Sequence, residues 1–297
     1  MTPFALLQPH CSLGVDLLCV DGDGLAYYCA GADGTPEEKA YAWVNEMVGT
    51  FRDMAKAKEV RILLTAEASP KGGRYAVATV KPYQGQRKSS RRPENWRVLR
   101  RYLEAGRAGP VQISTTAEAD DLFAYHSQGL GGRLAIASQD KDMRMVPGLH
   151  VTWDRQRMFW VKPGHSPMHA GKQYGQRWFW EQMLQGDSAD NIPGLPLLYG
   201  KKCGEVGART FLRPFYEPNA ATGPAWQGVR HAYGSLYKED GDDRFVEQAC
   251  LLWMRRKPVD VLDMARPGGP LFDFAQTGRN AADARERLRK RATGETE

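Results

Sequence analysis

The sequence predicts an α/β protein built on a parallel sheet. Two observations support this fold class: short apolar runs of strand length recur along the first half of the 297 residues, and segments with helical spacing separate them. Strand, helix and strand in this order favour parallel pairing, because parallel neighbours need a crossover connection. The composition agrees, since 42% apolar and 26% charged residues are ordinary for a globular protein.

The strands are predicted from apolar runs bounded by turn-forming residues. In chain order they are residues 15–20 (VDLLCV), 60–65 (VRILLT), 111–113 and 134–138 (LAIAS), followed by a hairpin of 150–153 with 158–161. The first strand is expected to end in a turn at Asp21-Gly22-Asp23-Gly24. Beyond Pro163 the composition shifts to helical segments and loops rich in Gly and Pro, and no further strand is predicted.

Three helices are predicted between the strands. Thr35 as N-cap and Pro36 at the first position begin one whose apolar residues recur through Met54. A second spans Pro93 to Glu104. A third begins with the capping-box spacing Thr115-Thr116-Ala117-Glu118 and runs through His126.

Several classes of protein are disfavoured. No run approaches the ~18 apolar residues of a transmembrane helix, and no Lys or Arg precedes Asp16, so no secretory signal is expected. The five cysteines are scattered without a C-x-x-C pair, which favours free thiols in a reducing cytoplasm and disfavours a zinc site.

Positive charge is concentrated in one segment. The chain carries +6 overall, yet Lys71 to Arg101 holds ten basic residues and one acid, so the remainder of the chain is net negative. Such a stretch is typical of an element that binds a polyanion, although a solvated loop remains an alternative. Within it, Tyr83 and Trp96 could stack unpaired bases. For Trp96 we favour packing, as we do for Trp153, Trp160, Trp178 and Trp180.

Acidic residues follow the predicted strands. Asp21 and Asp23 follow the first strand, and Asp140 and Asp142 follow the fourth. Ligands of an open parallel sheet bind at the carboxyl ends of its strands, so these side chains should share one edge. On an extended chain, residues two apart point the same way, as we expect for the Asp140 pair.

A helix and a turn supply more acids. Glu118 and Asp121 share a predicted helix face, with Asp120 beside it. Asp187 and Asp190 stand in a predicted turn. Each acid has a plain structural alternative as a cap or turn residue, but their joint occurrence at element ends beside a basic segment favours a shared site.

Converging carboxylates repel one another and raise each other's pKa, so a cation must neutralise them. Hard divalent ions such as Mg²⁺ or Mn²⁺ take oxygen ligands. Two ions about 4 Å apart would stabilise the attacking and leaving oxygens of phosphodiester hydrolysis and lower the pKa of a bound water. No Ser, His or Cys nucleophile is then required.

The order of motifs resembles the 5′-nuclease family: flap endonucleases, the 5′-nuclease domains of bacterial DNA polymerases and, most closely, phage-encoded 5′→3′ exonucleases. The resemblance spans roughly residues 15–215. It rests on Val20-Asp21-Gly22, Tyr83-Gln84-Gly85-Gln86-Arg87, Ala117-Glu118-Ala119-Asp120-Asp121, Ser138-Gln139-Asp140-Lys141-Asp142 and Gly186-Asp187-Ser188-Ala189-Asp190-Asn191-Ile192-Pro193-Gly194.

The resemblance implies a PIN-like catalytic domain at 1–185, with a helical arch at about 70–105, and a helix–three-turn–helix and C-terminal helical region at 186–297. It implies two metal sites. The first would be formed by Asp21, Glu118 and Asp120, and the second by Asp142, Asp187 and Asp190. Asp121 and Asp140 would lie between or beside them.

The resemblance also implies which residues meet DNA. A single 5′ strand would thread the arch, with contacts from Lys71, Arg74, Tyr83, Arg91 and Arg92. The helix–three-turn–helix element, expected within Ile192–Ala208, would approach duplex phosphates through Gly194, Gly200, Lys201 and Lys202 and could hold a potassium ion. Arg87, with Lys81 or Lys88, would stabilise charge developing on the scissile phosphate.

Three departures from the family pattern bear on activity. The second strand should be followed by an aspartate ligand, but Thr65-Ala66-Glu67 stands there, so Glu67 substitutes or a ligand is missing. Gln84 replaces the arch lysine. The family's G-I-G-x-K-T-A turn is here Leu197 to Cys203, which puts the potassium site in question.

The function expected from these residues is a divalent-metal-dependent 5′→3′ exonuclease and flap endonuclease. It would act as a monomer in the cytoplasm (the host's, for a phage protein) on DNA with a 5′ end or flap, and on RNA primers in RNA–DNA hybrids, without a membrane partner. A second hypothesis is a catalytically weak, structure-selective DNA-binding protein of the same fold. A third is a PIN-type ribonuclease for single-stranded RNA, which the helix–three-turn–helix candidate disfavours.

Overall fold

The computed structural model describes residues 14–86, 91–153, 157–162, 164–216, 224–255 and 290. They form two compact units. Within the described residues, the first unit holds 14–69 and 91–175, and the second holds 70–86 and 176–255. The division into domains 1–185 and 186–297 stays a prediction.

The strands are β1 (Leu17–Asp21), β2 (Glu59–Thr65), β3 (Val111–Ser114), β4 (Leu134–Ala137), β5 (Gly148–Val151), β6 (Met158–Val161), β7 (His165–His169), β8 (Lys172–Gly175), β9 (Leu197–Leu198) and β10 (Lys201–Lys202). The helices are α1 (Gly22–Tyr28), α2 (Glu37–Ala55), α3 (Arg74–Val77), α4 (Trp96–Glu104), α5 (Ala119–Leu130), α6 (Gln176–Gln185), α7 (Glu205–Leu212), α8 (Ala225–Tyr237) and α9 (Gly241–Leu252).

A six-stranded sheet in the order β3-β2-β1-β4-β5-β6 organises the first unit. Strands β1 to β5 pair in parallel, and β6 pairs antiparallel with β5. The predicted α/β class, the four strands and the hairpin are confirmed. The hairpin's turn residues Asp154 and Arg155 lie outside the described residues.

Strand β1 lies at the centre of this sheet because its residues are buried on both faces. Leu18 and Val20 pack in the core with Ile62 and Leu64. Strand order reverses on the two sides of β1, where β2 and β4 flank it. In a parallel sheet this reversal opens a crevice at the carboxyl ends of the strands, which is where β1 and β4 deliver their acids.

Helix starts differ from the predicted ones. Asp21 is the N-cap of α1, so the expected turn is the first turn of a helix. Thr35 was predicted as the N-cap of α2, but Pro36 takes that position and the Thr35 hydroxyl donates to the Ala32 carbonyl. The predicted start at Pro93 was also wrong, since α4 begins at Trp96.

Two other local predictions were wrong in instructive ways. The capping box lies three residues beyond the Thr115 spacing: Glu118 is the N-cap of α5, and Asp121 accepts from the Glu118 N–H at 3.2 Å. Asp140 and Asp142 are not on an extended chain. Asp140 caps a short 3₁₀ helix, Lys141–Met145, because its carboxylate accepts from the Asp142 N–H.

The hairpin of β7 and β8 and the short β9–β10 ladder were missed. Their segments are polar or only two residues long, so the pattern of apolar residues gave no signal. The interpretation of the tryptophans as packing residues is confirmed: Trp153, Trp178 and Trp180 are buried, and Trp96 and Trp160 pack against the core of the first unit. Among the described helices, none is long and apolar enough to cross a membrane.

Candidate metal centre

Asp21 occupies the carboxyl end of the central strand. Its buried carboxylate accepts from the Gly24 N–H at 2.8 Å and from the Ser138 hydroxyl at 2.8 Å. Burial nonetheless raises the pKa of Asp21 to about 7, and the nearby Asp23 and Asp140 carboxylates add to the rise. The two hydrogen bonds hold the Asp21 carboxyl in place, while burial and the neighbouring carboxylates disfavour its ionised form.

A series of hydrogen bonds extends from Asp21 along the end of β4. The Ser138 Oγ that donates to Asp21 also accepts from the Asp140 N–H at 3.0 Å. Asp140 Oδ1 then accepts from the Asp142 N–H at 2.7 Å. Lys141 Nζ lies 3.4 Å from Asp142 Oδ1, so one cation accompanies these acids. The loop after β4 thus orients acids from two strands.

Helix α5 brings further carboxylates. Burial raises the pKa of Asp120 well above its usual value, and Asp140, Asp21, Glu118 and Asp142 raise it further, in that order. Glu118 lies directly before the helix as its N-cap. Five acids from three segments therefore lie close enough to repel one another within the first unit.

This donor set fits a hard divalent cation. The five side chains offer only carboxylate oxygens as ligands. A divalent cation would offset the cost of burying negative charge at Asp21 and Asp120 and would screen the repulsion between the carboxylates. Asp121 differs from the others because its Oδ2 serves the Glu118 N–H and so fixes the start of α5. Its assignment as a ligand stays a prediction.

A positively charged side chain, Arg100, lies at the edge of this cluster, and the sequence did not predict its role. Arg100, on α4, pairs with Asp23 and donates to the Thr65 carbonyl. Asp23 also accepts from the Thr65 N–H at 3.0 Å. Glu67, considered as a substitute for the absent aspartate, is exposed. Arg100 was one of ten basic residues in its stretch, and nothing in the spacing distinguished it.

In the second unit, Asp187 and Asp190 lie in the loop 186–191. Main-chain bonds of 2.8 Å join Asp187 and Ile192 in both directions and close the loop. Asp187 Oδ1 accepts from the Ala189 N–H at 2.9 Å. Both aspartates are buried, and carboxylate oxygens of the two lie within 4.8 Å of each other. The pair could share a cation.

Residues 82–86, which we call the clasp, contact this loop. Tyr83 Oη donates to Asp190 Oδ2 at 3.3 Å, and Gln84 Nε2 donates to Asp190 Oδ1 at 3.0 Å. Tyr83 is only 5% exposed, so its predicted role in stacking bases is wrong. Its hydroxyl needs a buried partner and finds one in Asp190.

Arg74, predicted to contact DNA phosphates, is buried instead, with 1% of its surface exposed. Its guanidinium donates to the Leu251 and Trp253 carbonyls at the end of α9, at 3.2 and 3.0 Å. A buried guanidinium must donate its hydrogen bonds to other groups of the protein. The last carbonyls of a helix can accept them, because they have no acceptor role within the helix. Arg74 therefore anchors this segment within the second unit.

The other basic residues predicted to contact DNA or assist the reaction differ in setting. Lys71 is half-buried, while Lys81, Arg91 and Arg92 are exposed. Arg91 pairs with Asp33 at 2.6 Å, and the Arg92 guanidinium lies 4.0 Å from the Trp96 ring centroid. Arg87 and Lys88 lie outside the described residues.

The β9–β10 turn lies within the predicted phosphate-binding element, Ile192–Ala208. Gly200 has a φ of +80°, a left-handed conformation that favours glycine, and Lys201 and Lys202 are exposed beside it. Gly194 is buried against the Gly186 backbone, so its role is close packing and its predicted DNA contact is wrong. The potassium site stays a prediction.

No protein-family model matches the chain, and no curated protein matches its sequence. Solved structures do match. The flap endonuclease of bacteriophage T5, solved as a pseudo-enzyme–product complex with DNA and metal ions, is 15% identical with a TM-score of 0.57. That match covers 94% of this chain and 99% of that one.

A second match is the 5′-exonuclease of T5 with bound zinc, which is 17% identical and has a TM-score of 0.56 over 93% of this chain and 99% of that one. At such low identity the likeness concerns the fold alone. The chain therefore has the PIN-like α/β fold of the 5′-nucleases.

Proposed function

We propose that the protein is a divalent-metal-dependent 5′→3′ exonuclease and flap endonuclease that hydrolyses DNA near 5′ ends. One observation carries the proposal: buried acids that repel one another stand at the carboxyl edge of the sheet, around Asp21 and Asp120. The fold is shared with T5 proteins described as a flap endonuclease and a 5′-exonuclease, both with metal ions.

The first cation would be held by Asp21, Glu118 and Asp120. The motif order assigns Asp142, Asp187 and Asp190 to the second. Mg²⁺ bound by these oxygens would activate a water molecule and stabilise charge on the phosphate. The chain's own part is to fix the ligands, as Ser138 does for Asp21.

Basic residues would hold the substrate. Lys71, Arg91, Arg92, Lys201 and Lys202 are proposed to neutralise phosphates, while Lys81, Arg87 and Lys88 are proposed to act nearer the scissile bond. Contacts of this kind position the nucleic acid without reading its sequence. The finer proposal, that RNA primers in hybrids are also removed, rests on the same contacts.

A catalytically weak DNA-binding protein is the second candidate, and specific observations favour it. Glu67, which follows β2, is exposed, and Asp23 of α1 is paired with Arg100, so neither is arranged as an additional ligand beside Asp21, Glu118 and Asp120. Gln84 replaces the arch lysine and contacts Asp190.

A flap-cleavage assay separates the two candidates. A 5′-labelled flap duplex is incubated with and without Mg²⁺, beside the double variant Asp120→Asn/Asp142→Asn. We expect short 5′ products only with metal, and at least ~100-fold slower cleavage by the variant, since lost ligation costs several kcal/mol of barrier stabilisation. The variant should still bind the flap.

Binding by the wild type without cleavage in Mg²⁺ or Mn²⁺ would support the second candidate. Single-stranded RNA as a competitor addresses the ribonuclease alternative: if it were cleaved in preference to the flap, DNA would not be the substrate.

A further inference from the structure

Gln84 stands where the resemblance places a catalytic lysine, and the structure gives it a different partner. Its side-chain Nε2 donates to Asp190 Oδ1 at 3.0 Å, and its main-chain N–H donates to the Asp190 carbonyl at 2.9 Å. Tyr83 Oη takes the other carboxylate oxygen. Both oxygens of Asp190 are thus contacted by the clasp.

The rest of the clasp holds the loop's backbone. Gln86 Nε2 donates to the Ser188 and Ala189 carbonyls at 2.7 Å each, and Asn191 Nδ2 donates to the Pro82 carbonyl at 2.9 Å. These contacts join segments more than a hundred residues apart in the chain. Side chains of one clasp therefore serve two purposes: Gln86 fixes the loop, and Gln84 fixes the carboxylate within it.

Backbone geometry indicates that the placement of Gln84 is enforced. Its φ is +53°, in the left-handed region that residues with a Cβ rarely adopt. Such a conformation persists only where surrounding contacts determine it. The two bonds from Gln84 to Asp190 are contacts of that kind.

We propose that Gln84 is a positioning residue that aims the Asp190 carboxylate at a divalent cation. The inference rests on the proposed function only in taking Asp190 as a metal ligand. A neutral amide can donate to a carboxylate and leave its negative charge available to a metal. A lysine at this point would bring a positive charge that competes with the metal.

The chain offers a matched pair of variants. Gln84→Ala removes the donor to the carboxylate, and Gln86→Ala removes an equal side chain whose bonds end on main-chain carbonyls. Mn²⁺ is titrated into each full-length protein without DNA, and free Mn²⁺ is followed by electron paramagnetic resonance. Gln84→Ala should weaken Mn²⁺ affinity about 10–100-fold, as outer-shell changes do, and Gln86→Ala should shift it less than about 3-fold.

A third variant separates orientation from loss of packing. Gln84→Met keeps nearly the length of the side chain but removes the donor without adding a charge. It should weaken Mn²⁺ binding about as much as Gln84→Ala does, because the Asp190 carboxylate loses the same hydrogen bond, and circular dichroism should show native secondary structure. A folded Gln84→Met variant that bound Mn²⁺ like the wild type would contradict the proposal.

If Gln84→Ala and Gln86→Ala weakened Mn²⁺ binding equally, the clasp would be a structural support only, and the inference would be overturned. The inference would also be overturned if Gln84→Ala bound Mn²⁺ with wild-type affinity. In either case the proposed function would stand if flap cleavage persisted. A wild-type protein that bound no Mn²⁺ would defeat both. Weakened binding in Gln84→Ala, in a wild type that never cleaves, would keep the inference and defeat the proposed nuclease activity.

Discussion

The acids of the first unit and those of the second are held in opposite ways. The carboxylates around Asp21 and Asp120 are crowded, and burial together with the neighbouring carboxylates raises the pKa values of these two aspartates. In the second unit, Asp190 is met by the neutral donors Tyr83 and Gln84, and Asp187 by a main-chain N–H. The carboxylates of the first set repel one another, whereas hydrogen bonds hold those of the second set in place before an ion binds.

Carboxylate ligands can thus be prepared for a cation in two ways. A crowded set gains most from a cation, because binding removes an existing penalty. A set already satisfied by donors gains less in folding stability but loses less freedom on binding. Stability measurements should therefore distinguish the two sets even where both are needed for cleavage.

The free energy of unfolding should depend most strongly on pH and on bound metal. The pKa of Asp21 rises from 3.8 in the unfolded chain to about 7 in the folded metal-free protein. Between these values the folded state keeps a proton that the unfolded state has lost, so stability falls as pH rises through this window. The loss is ~4 kcal/mol at most, at about 1.4 kcal/mol per pKa unit. Urea unfolding in EDTA from pH 5 to pH 8 measures the part of this loss that falls above pH 5, which is ~3 kcal/mol.

Adding Mg²⁺ should restore stability at pH 8 more than at pH 5, because protons compete with the ion for the same oxygens. Asp21→Asn should make the EDTA profile shallower than that of the wild type, and Asp120, whose pKa is also raised, should account for the slope that remains. A profile that stayed steep in this variant would assign the effect to other groups, and a profile rising with pH would contradict the crowding of the first set.

The next largest effect should come from Arg100. Its charge-assisted bonds to Asp23 and Thr65 tie α4 to the sheet edge. Arg100→Gln should lower the free energy of unfolding by ~2 kcal/mol, within the range for hydrogen bonds to charged groups. Arg101→Gln is the control, since Arg101 is its exposed neighbour. Equal urea midpoints for the two variants would show that the pair contributes nothing.

Neutralising one carboxylate in each set should change stability in opposite directions. In EDTA at pH 8, Asp120→Asn should raise the free energy of unfolding by ~1 kcal/mol because it removes a repelling charge, while Asp190→Asn should lower it by a similar amount because it weakens accepted hydrogen bonds. Thermal melts of both variants measure the signs. Equal signs would mean that the two sets do not differ in the way described.

Much of the sheet could be predicted from the sequence. Buried parallel strands are continuous apolar runs, so β1, β2 and β4 were recognisable, and parallel geometry then placed Asp21 and Asp140 at one edge. The helix starts were harder because Thr35 and Thr115 have the right chemistry for caps, whereas Pro36 and Glu118 are the N-caps of α2 and α5.

The contacts of individual polar side chains could not be predicted. Arg74 and Arg100 looked like any other basic residue of their stretch, yet one is buried on main-chain carbonyls and the other pairs with Asp23. Tyr83 and Gln84 reach an aspartate more than a hundred residues away. Periodicity describes neighbours along the chain and carries no record of partners so distant.

The anchoring of Arg74 has a consequence for the timing of synthesis. Its carbonyl partners lie 177 and 179 residues further along the chain, which a ribosome adding ~5–20 residues per second needs roughly 10–35 s to reach. The strands of the first unit emerge well before that. A nascent chain that ends before Leu251 thus carries every proposed metal ligand, while Arg74 still lacks the carbonyls that hold it in place.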